Sequence, residues 1–189
     1  MSQTYNKTIE KPIYNKTIPK TIEDEIVVAL SHFPKLKYTP IHFAFKEKIK
    51  KSTMQAQPKF KTLLKPKSKR EYFIYINRQF NVGETSMAIE DLPSDVLIGW
   101  LGHELGHIMD YETMTNFQLM RFGIKYLFNE TSIKTAERAA DSYAVQNGMR
   151  SYILKTKNYI LNHADIPETY KARIKKFYLS PEEIMELVD

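Results

Sequence analysis

Gly99-Trp100-Leu101-Gly102-His103-Glu104-Leu105-Gly106-His107-Ile108-Met109-Asp110 is the stretch on which the reading of this chain turns. Upstream, Pro93 precedes Ser94, a residue type favoured at helix N-caps, and Asp95 places negative charge in the first turn. Val96, Leu97, Ile98, Trp100, Leu101, Leu105 and Ile108 leave almost no polar face. The pattern therefore predicts a helix from Ser94 to about Tyr111 that is buried on most sides. His103 and His107 are four residues apart, so both imidazoles leave one face of that helix, one turn apart. Two histidines and a glutamate on a buried helix need a partner. At this spacing the partner is a metal ion, zinc by the H-E-x-x-H pattern, and Glu104 lies where it can take a proton from a bound water. The alternative, a helix whose polar residues face solvent, conflicts with the apolar flanks.

Two histidines do not complete such a site, because a catalytic zinc takes three protein ligands and keeps a position for water. A third histidine six residues past His107 would fall at Thr113, which cannot serve. The next candidate lies in Glu137-Arg138-Ala139-Ala140-Asp141-Ser142-Tyr143-Ala144-Val145-Gln146-Asn147-Gly148. Thr131 or Ser132 can cap this second helix and Gly148 can end it. Glu137, Ala140, Asp141, Ala144 and Gly148 form one stripe at helical spacing, and the small residues permit close approach to another helix. Glu137 would then reach the metal. Asp141, one turn on, would accept the ring N–H of a ligating histidine and fix its tautomer. A surface Glu and Asp on an amphipathic helix is the competing reading; alanine and glycine stepping along the same face favour a packed one.

H-E-L-G-H followed by E-x-x-A-D-x-x-A-x-x-x-G resembles the gluzincin zinc metallopeptidases. The likeness is greatest to the catalytic core of the branch that includes the CaaX-prenyl and heat-shock membrane proteases. A chain this short without membrane helices resembles the minigluzincins. The likeness spans residues from about 22 to 177, with its specific signal in the two helices. It implies Zn2+ held by His103, His107 and Glu137, Glu104 as general base, Asp141 behind a ligand, and endopeptidase action on a peptide or protein substrate. The membrane relatives place a histidine shortly after the third-ligand helix and then an arginine. That implies His163 as the donor to the oxyanion and Arg173 as the arginine, with Tyr143, Tyr152 and Tyr159 as rivals. The family also has a strand above the cleft that pairs with extended substrate. Glu71-Tyr72-Phe73-Ile74-Tyr75-Ile76-Asn77, the strongest strand signal here, takes that place by resemblance, with Tyr72, Phe73, Ile74 and Tyr75 as substrate-binding residues. From the residues alone, an interior strand fits equally well. The membrane relatives carry transmembrane helices between the two motifs, whereas here only about thirty residues intervene.

A length of 189 residues and a hydrophobic content of 42% support one domain with its own core. The absence of cysteine excludes disulfides and thiolate ligands, so any metal must sit on histidine and carboxylate. No apolar stretch follows Met1, and the cleanest apolar run, Ile26 to Leu30, is too short to span a bilayer. The expectation is a soluble, cytoplasmic protein. The net charge of +6 is uneven: residues 1–70 carry 16 Lys and Arg against five Asp and Glu, and residues 71–189 carry 12 against 17. The basic residues 46–70 form either a solvated loop or hairpin, or a patch that attracts an acidic partner, nucleic acid or an anionic membrane surface.

Residues 1–19 read as an extended or disordered arm, with Tyr5-Asn6-Lys7-Thr8-Ile9 repeated as Tyr14-Asn15-Lys16-Thr17-Ile18 and with Pro12 and Pro19. Such an arm could pair with the exposed strand edge and hold the enzyme latent, as could the segment from Ser180 onward. The domain then occupies residues 20–189. It opens on a helix over residues 21–33 and a strand Ile41-His42-Phe43-Ala44-Phe45, followed by a weak strand over residues 53–57. His42 reads as structural, and His32, at the end of the first helix, as a surface or capping residue rather than a ligand. Residues 80–91 read as a loop with Gly83. Helices follow over residues 117–128, 152–161 and 167–178, with a short last one capped by Ser180-Pro181-Glu182-Glu183. The expected architecture is α+β: a small antiparallel sheet, a helical zincin-like core, and a zinc site between the two motif helices. Two rival functions remain at this point. One is a binding protein with a structural zinc that uses its basic segment; the other is an aminopeptidase anchored by Glu71 or Glu112.

Overall fold

The computed structural model describes residues 14–47, 49, 52–82, 85–163 and 165–187. Ile41 and Phe43 in β2 (Ile41–Lys46), and Tyr72, Ile74 and Ile76 in β4 (Tyr72–Asn77), are buried and alternate with more exposed neighbours. This period of two lays one face of a sheet on the core. With β1 (Lys16–Thr17) and β3 (Met54–Pro58) they form a four-stranded sheet in the order β1-β2-β4-β3. β1 and β2 are parallel, as are β2 and β4, whereas β3 runs antiparallel to β4 with Ala56 opposite Ile74. The sheet is thus mixed rather than antiparallel throughout. Alternation specifies the buried face of a strand and carries no information about its direction. A second, two-stranded antiparallel sheet pairs β5 (Gln79–Val82) with β6 (Thr85–Ala88) inside the stretch expected to be a loop. Each of its strands has only four residues, too few for a clear alternation.

The helices are α1 (Glu23–Ser31), α2 (Ser94–Thr113), α3 (Asn116–Phe128), α4 (Glu130–Ala144), α5 (Arg150–Asn162), α6 (Glu168–Phe177) and α7 (Pro181–Glu186) among the described residues. The fold class is α+β. α2 is the central element: residues 96–109 are all buried, and α1, α4, α5 and β3 pack around it. A helix apolar on every side requires neighbours on every side. The closest approach is to α4, where a Cβ at Gly106 would stand 2.2 Å from the Ala140 carbonyl oxygen. After α4 the chain passes through a wider helical turn, Val145–Met149, in which Gly148 has a φ of 82° that suits glycine, and there it turns into α5. No helix among the described residues is long and apolar enough to cross a membrane.

Two boundaries differ from expectation, whereas the last helix is capped by Ser180 as expected. Pro93, not Ser94, is the N-cap of α2, and the Ser94 hydroxyl donates instead to Glu25 of α1. α4 starts earlier than Thr131 because the Asn129 side chain caps it, accepting from Ser132 N at 3.0 Å. The segment from Ser180 is built into the core through α7: Ile184 is fully buried, and Arg138 holds Glu183 at 2.9 and 2.6 Å. It is therefore not a detachable plug.

Most of the arm, residues 1–13, lies outside the described residues. Its end is held along the body, where Lys16 and Thr17 pair with Ile41 and His42. The Lys16 ammonium donates to the carbonyls of Tyr14, Leu36, Lys37 and Thr39 at 2.7–3.1 Å. This is the β2 side of the sheet, the opposite edge from β3. His42 bonds Thr17 and Glu71 and is structural as expected, and His32 is the C-cap of α1, with its ring on the Asn147 carbonyl oxygen.

Candidate metal centre

α2 presents His103, Glu104 and His107 toward α4 and β3, and α4 presents Glu137 and Asp141 toward α2. All five side chains are buried. Nε2 of His103 lies 3.0 Å, and Nε2 of His107 3.3 Å, from the same oxygen, Oε2 of Glu137. One ligand atom from each of these three residues falls within 4.8 Å of the others. Behind His103, Nδ1 lies 2.9 Å from Oδ1 of Asp141. Asp141 uses its other oxygen to accept from Lys157 Nζ at 2.8 Å and from Leu179 N at 3.0 Å.

The donor chemistry of this cluster fits a cation. With Nδ1–H of His103 donating to Asp141, Nε2 of the neutral ring carries a lone pair aimed at a carboxylate oxygen that also carries lone pairs. Acceptors do not converge in a dry interior unless a proton or a metal ion sits among them. Protons are one solution. Although burial opposes the charge, the bonds to Asp141 and Glu137 push the His103 pKa up to about 10. Burial likewise opposes ionisation of Glu137, but the two histidines outweigh it and hold its carboxyl well below the usual range. The other solution is a dication in place of those protons, for which two imidazoles and a carboxylate are a fitting set. The Nδ1 of His107 is buried without a hydrogen-bond partner, so no acceptor behind that ring fixes its tautomer as Asp141 does for His103.

Glu104 stands beside the three candidate ligands with Oε2 2.5 Å from the backbone N of Ala56, on the outer edge of β3. Burial raises its pKa, against the nearby histidines and the Ala56 N–H. The cavity bordered by His103, Glu104 and Asp141 continues between Trp100, Tyr170 and Tyr178.

Comparison of the chain with protein-family models, with curated proteins and with solved structures finds no match among any of the three. What the site can do is read from its own residues.

The structure brings together His103, Glu104, His107, Glu137 and Asp141. It separates the others. β4 lies between β2 and β3, so Tyr72, Phe73, Ile74 and Tyr75 have no free backbone edge for an extended ligand. The assignment of these four to substrate pairing is therefore corrected: the edge over α2 belongs to β3. A strong strand signal here marks a central strand, paired along both edges, and the weaker signal of β3 marks the edge. His163 caps the end of α5, with its ring on Tyr159 and Nδ1 4.0 Å from Asp165, rather than in contact with the cluster. The groups that do surround Glu137 are Tyr126, whose hydroxyl donates to Oε1 at 2.5 Å, and Arg173, 3.9 Å from the same oxygen. The Tyr178 ring packs 5.1 Å from that of His103. Lys157, Tyr126 and Tyr178 escape a sequence reading because nothing in their local pattern marks a polar group that will be buried against another helix. The two candidate amine anchors are engaged elsewhere: Glu71 with Lys59 and His42, Glu112 with the Tyr72 hydroxyl.

Proposed function

We propose that this chain is a zinc-dependent metallopeptidase that cleaves internal bonds of peptide or protein substrates. The observation that carries the reading is the convergence of His103 Nε2, His107 Nε2 and a Glu137 carboxylate oxygen next to a buried Glu104. A structural metal site has no use for a carboxylate of raised pKa beside its ligands, whereas hydrolysis needs one. In this reading His103, His107 and Glu137 hold Zn2+. A bound zinc ion supplies Lewis acidity toward a water and a scissile carbonyl. Glu104 takes a proton from that water and returns it to the leaving amine. Asp141 keeps His103 in the tautomer that points Nε2 at the ligand position, and Lys157 keeps Asp141 ionised. Arg173, with a buried Nε that has no acceptor, is the candidate to donate to the developing oxyanion.

A second reading, a latent form of the same enzyme, is favoured by one contact. The carboxylate that would accept a proton is bonded to the β3 edge through Ala56 N. The test of function is metal analysis of the purified protein, beside a peptide-library digest with and without chelator. We expect about one zinc per chain, chelator-sensitive cleavage, and loss of most zinc from Glu137→Ala but not from His42→Ala. Stoichiometric zinc in Glu137→Ala would remove Glu137 from the ligand set.

A further inference from the structure

α3 buries only Leu119 and leaves an apolar face in the open. Phe117, Ile124 and Phe128 fall within about 40° of arc at 3.6 residues per turn, with Leu127 on one flank and Arg121 and Lys125 on the other. Phe117, Ile124, Leu127 and Phe128 are between 63% and 84% exposed, far more than an apolar side chain with a packing partner. The face continues onto a second segment. Asn116 Nδ2 donates to the Lys65 carbonyl at 2.6 Å, and Arg70 donates to Asn116 Oδ1, so Phe117 and Leu64 flank one hydrogen-bonded junction. Leu64 is 75% and Phe60 69% exposed, and the exposed Lys61, Lys65, Lys67 and Lys69 stand around them.

Neither segment, residues 59–70 or 116–128, contains an Asp or Glu. The acids at their borders are occupied: Glu71 by Lys59 and His42, Glu112 by the Tyr72 hydroxyl, Glu130 by Lys176. The face therefore combines protruding aromatic and aliphatic side chains with an excess of exposed lysine and arginine. A second copy of the chain is a poor occupant, since self-pairing would set these cations against one another with no acid between them. Nucleic acid would use the cations but leave the aliphatic Leu64, Ile124 and Leu127 in water. A bilayer with anionic headgroups satisfies both halves. The rings and aliphatic groups enter the headgroup boundary, while the long basic side chains reach the lipid phosphates. We propose that this face of α3 and the 59–70 segment dock the protein on an anionic lipid bilayer.

The test uses the full chain and phosphatidylcholine vesicles with or without phosphatidylglycerol. Wild type is expected to float with the anionic vesicles and not with the neutral ones. Partition should fall about tenfold or more both in Phe117→Ser/Phe128→Ser and in Lys61→Gln/Lys65→Gln/Lys69→Gln. The substituted side chains are exposed, so thermal midpoints should not move. Because the chain has no cysteine, Phe128→Cys can carry a single environment-sensitive fluorophore. Its emission should shift to the blue on anionic vesicles, and that of a label at Lys35→Cys on the turn after α1 should not. Absence of binding to anionic vesicles would overturn the proposal. So would binding unaltered by loss of the two phenylalanines, an unshifted label at residue 128, self-association abolished by the serine variant, or a nucleic-acid gel shift that needs the lysines while vesicles go unbound.

Discussion

Lys157→Met tests the frame that holds the candidate centre, without touching any proposed ligand. The Lys157 ammonium and the Asp141 carboxylate are both buried, 2.8 Å apart. Methionine keeps most of the lysine volume, so the change removes a charge rather than opening a cavity. Asp141 then retains only the ring N–H of His103 and the N–H of Leu179. Removing one partner of a buried pair costs about 3–5 kcal/mol, because the remaining charge is left in a poorly polar interior. For a domain of this size each kcal/mol moves the thermal midpoint by about 2–4 °C, so the expected drop is about 6–20 °C. The sign with pH follows. Despite burial, Lys157 and His103 hold the Asp141 carboxyl below its ordinary 3.8. Its contribution to stability is present above that value and is lost as pH falls through the lower folded one. In Lys157→Met the folded value rises, so acid unfolding begins at a higher pH. Calorimetry across pH, with Asp141→Asn and the double variant completing a cycle, is the assay. The double variant should be less damaged than the sum of the singles. A Lys157→Met midpoint within about 2 °C of wild type, or strict additivity in the cycle, would refute the reasoning.

Glu104→Gln should retain zinc and fold, yet lose peptidase activity by about a hundredfold or more, since only the base is removed; wild-type rates would place the base elsewhere. Tyr126→Phe removes the hydroxyl that donates to Glu137 Oε1, and zinc affinity should weaken by about tenfold to a hundredfold in a competitive chelator titration. Burial lowers the Lys16 pKa from 10.5 to about 8, so between those values the unfolded chain binds more protons and stability gains from rising pH. Thermal midpoints of wild type minus those of Lys16→Met should rise across that window; a flat difference would show that the carbonyl cage offsets the burial.

Much of the site is legible in the sequence because two helices carry it by local rules. The apolar circumference of α2 predicts burial, and four-residue spacing predicts that His103 and His107 share a face. The alanine stripe of α4 predicts that Glu137 and Asp141 face a close neighbour, and Gly106 against Ala140 is that contact. The remainder depends on sheet order and on reach between distant elements. β4 has the stronger strand composition, so it draws the functional assignment, yet its composition reflects burial between two neighbours. β3, with Gln55, Gln57 and Pro58, reads weakly because it is an edge, and edges tolerate polar residues and proline. Lys157 sits in a helix of mixed polarity, where nothing local distinguishes a lysine that will meet Asp141 from one that will meet water.

The β3 edge and Glu104 also bear on how the proposed activity would be restrained. Ala56 offers its N–H and its carbonyl oxygen on the side of the sheet that faces α2: the N–H meets Glu104 and the oxygen accepts from Tyr111. A water or amine engaging the Glu104 carboxylate competes with that N–H for the same oxygen. An extended peptide aligned on β3 competes for the same backbone group. Under the proposed function, a peptide carbonyl bonded to Ala56 N would remove this hydrogen bond from Glu104 Oε2, so that substrate binding would raise the basicity of the carboxylate. The described end of the arm lies across the sheet on β2, and α7 is part of the core. Among the described residues the Ala56–Glu104 contact is then a place where the proposed activity would be restrained, at about the 1.5–3 kcal/mol of a hydrogen bond to a charged group.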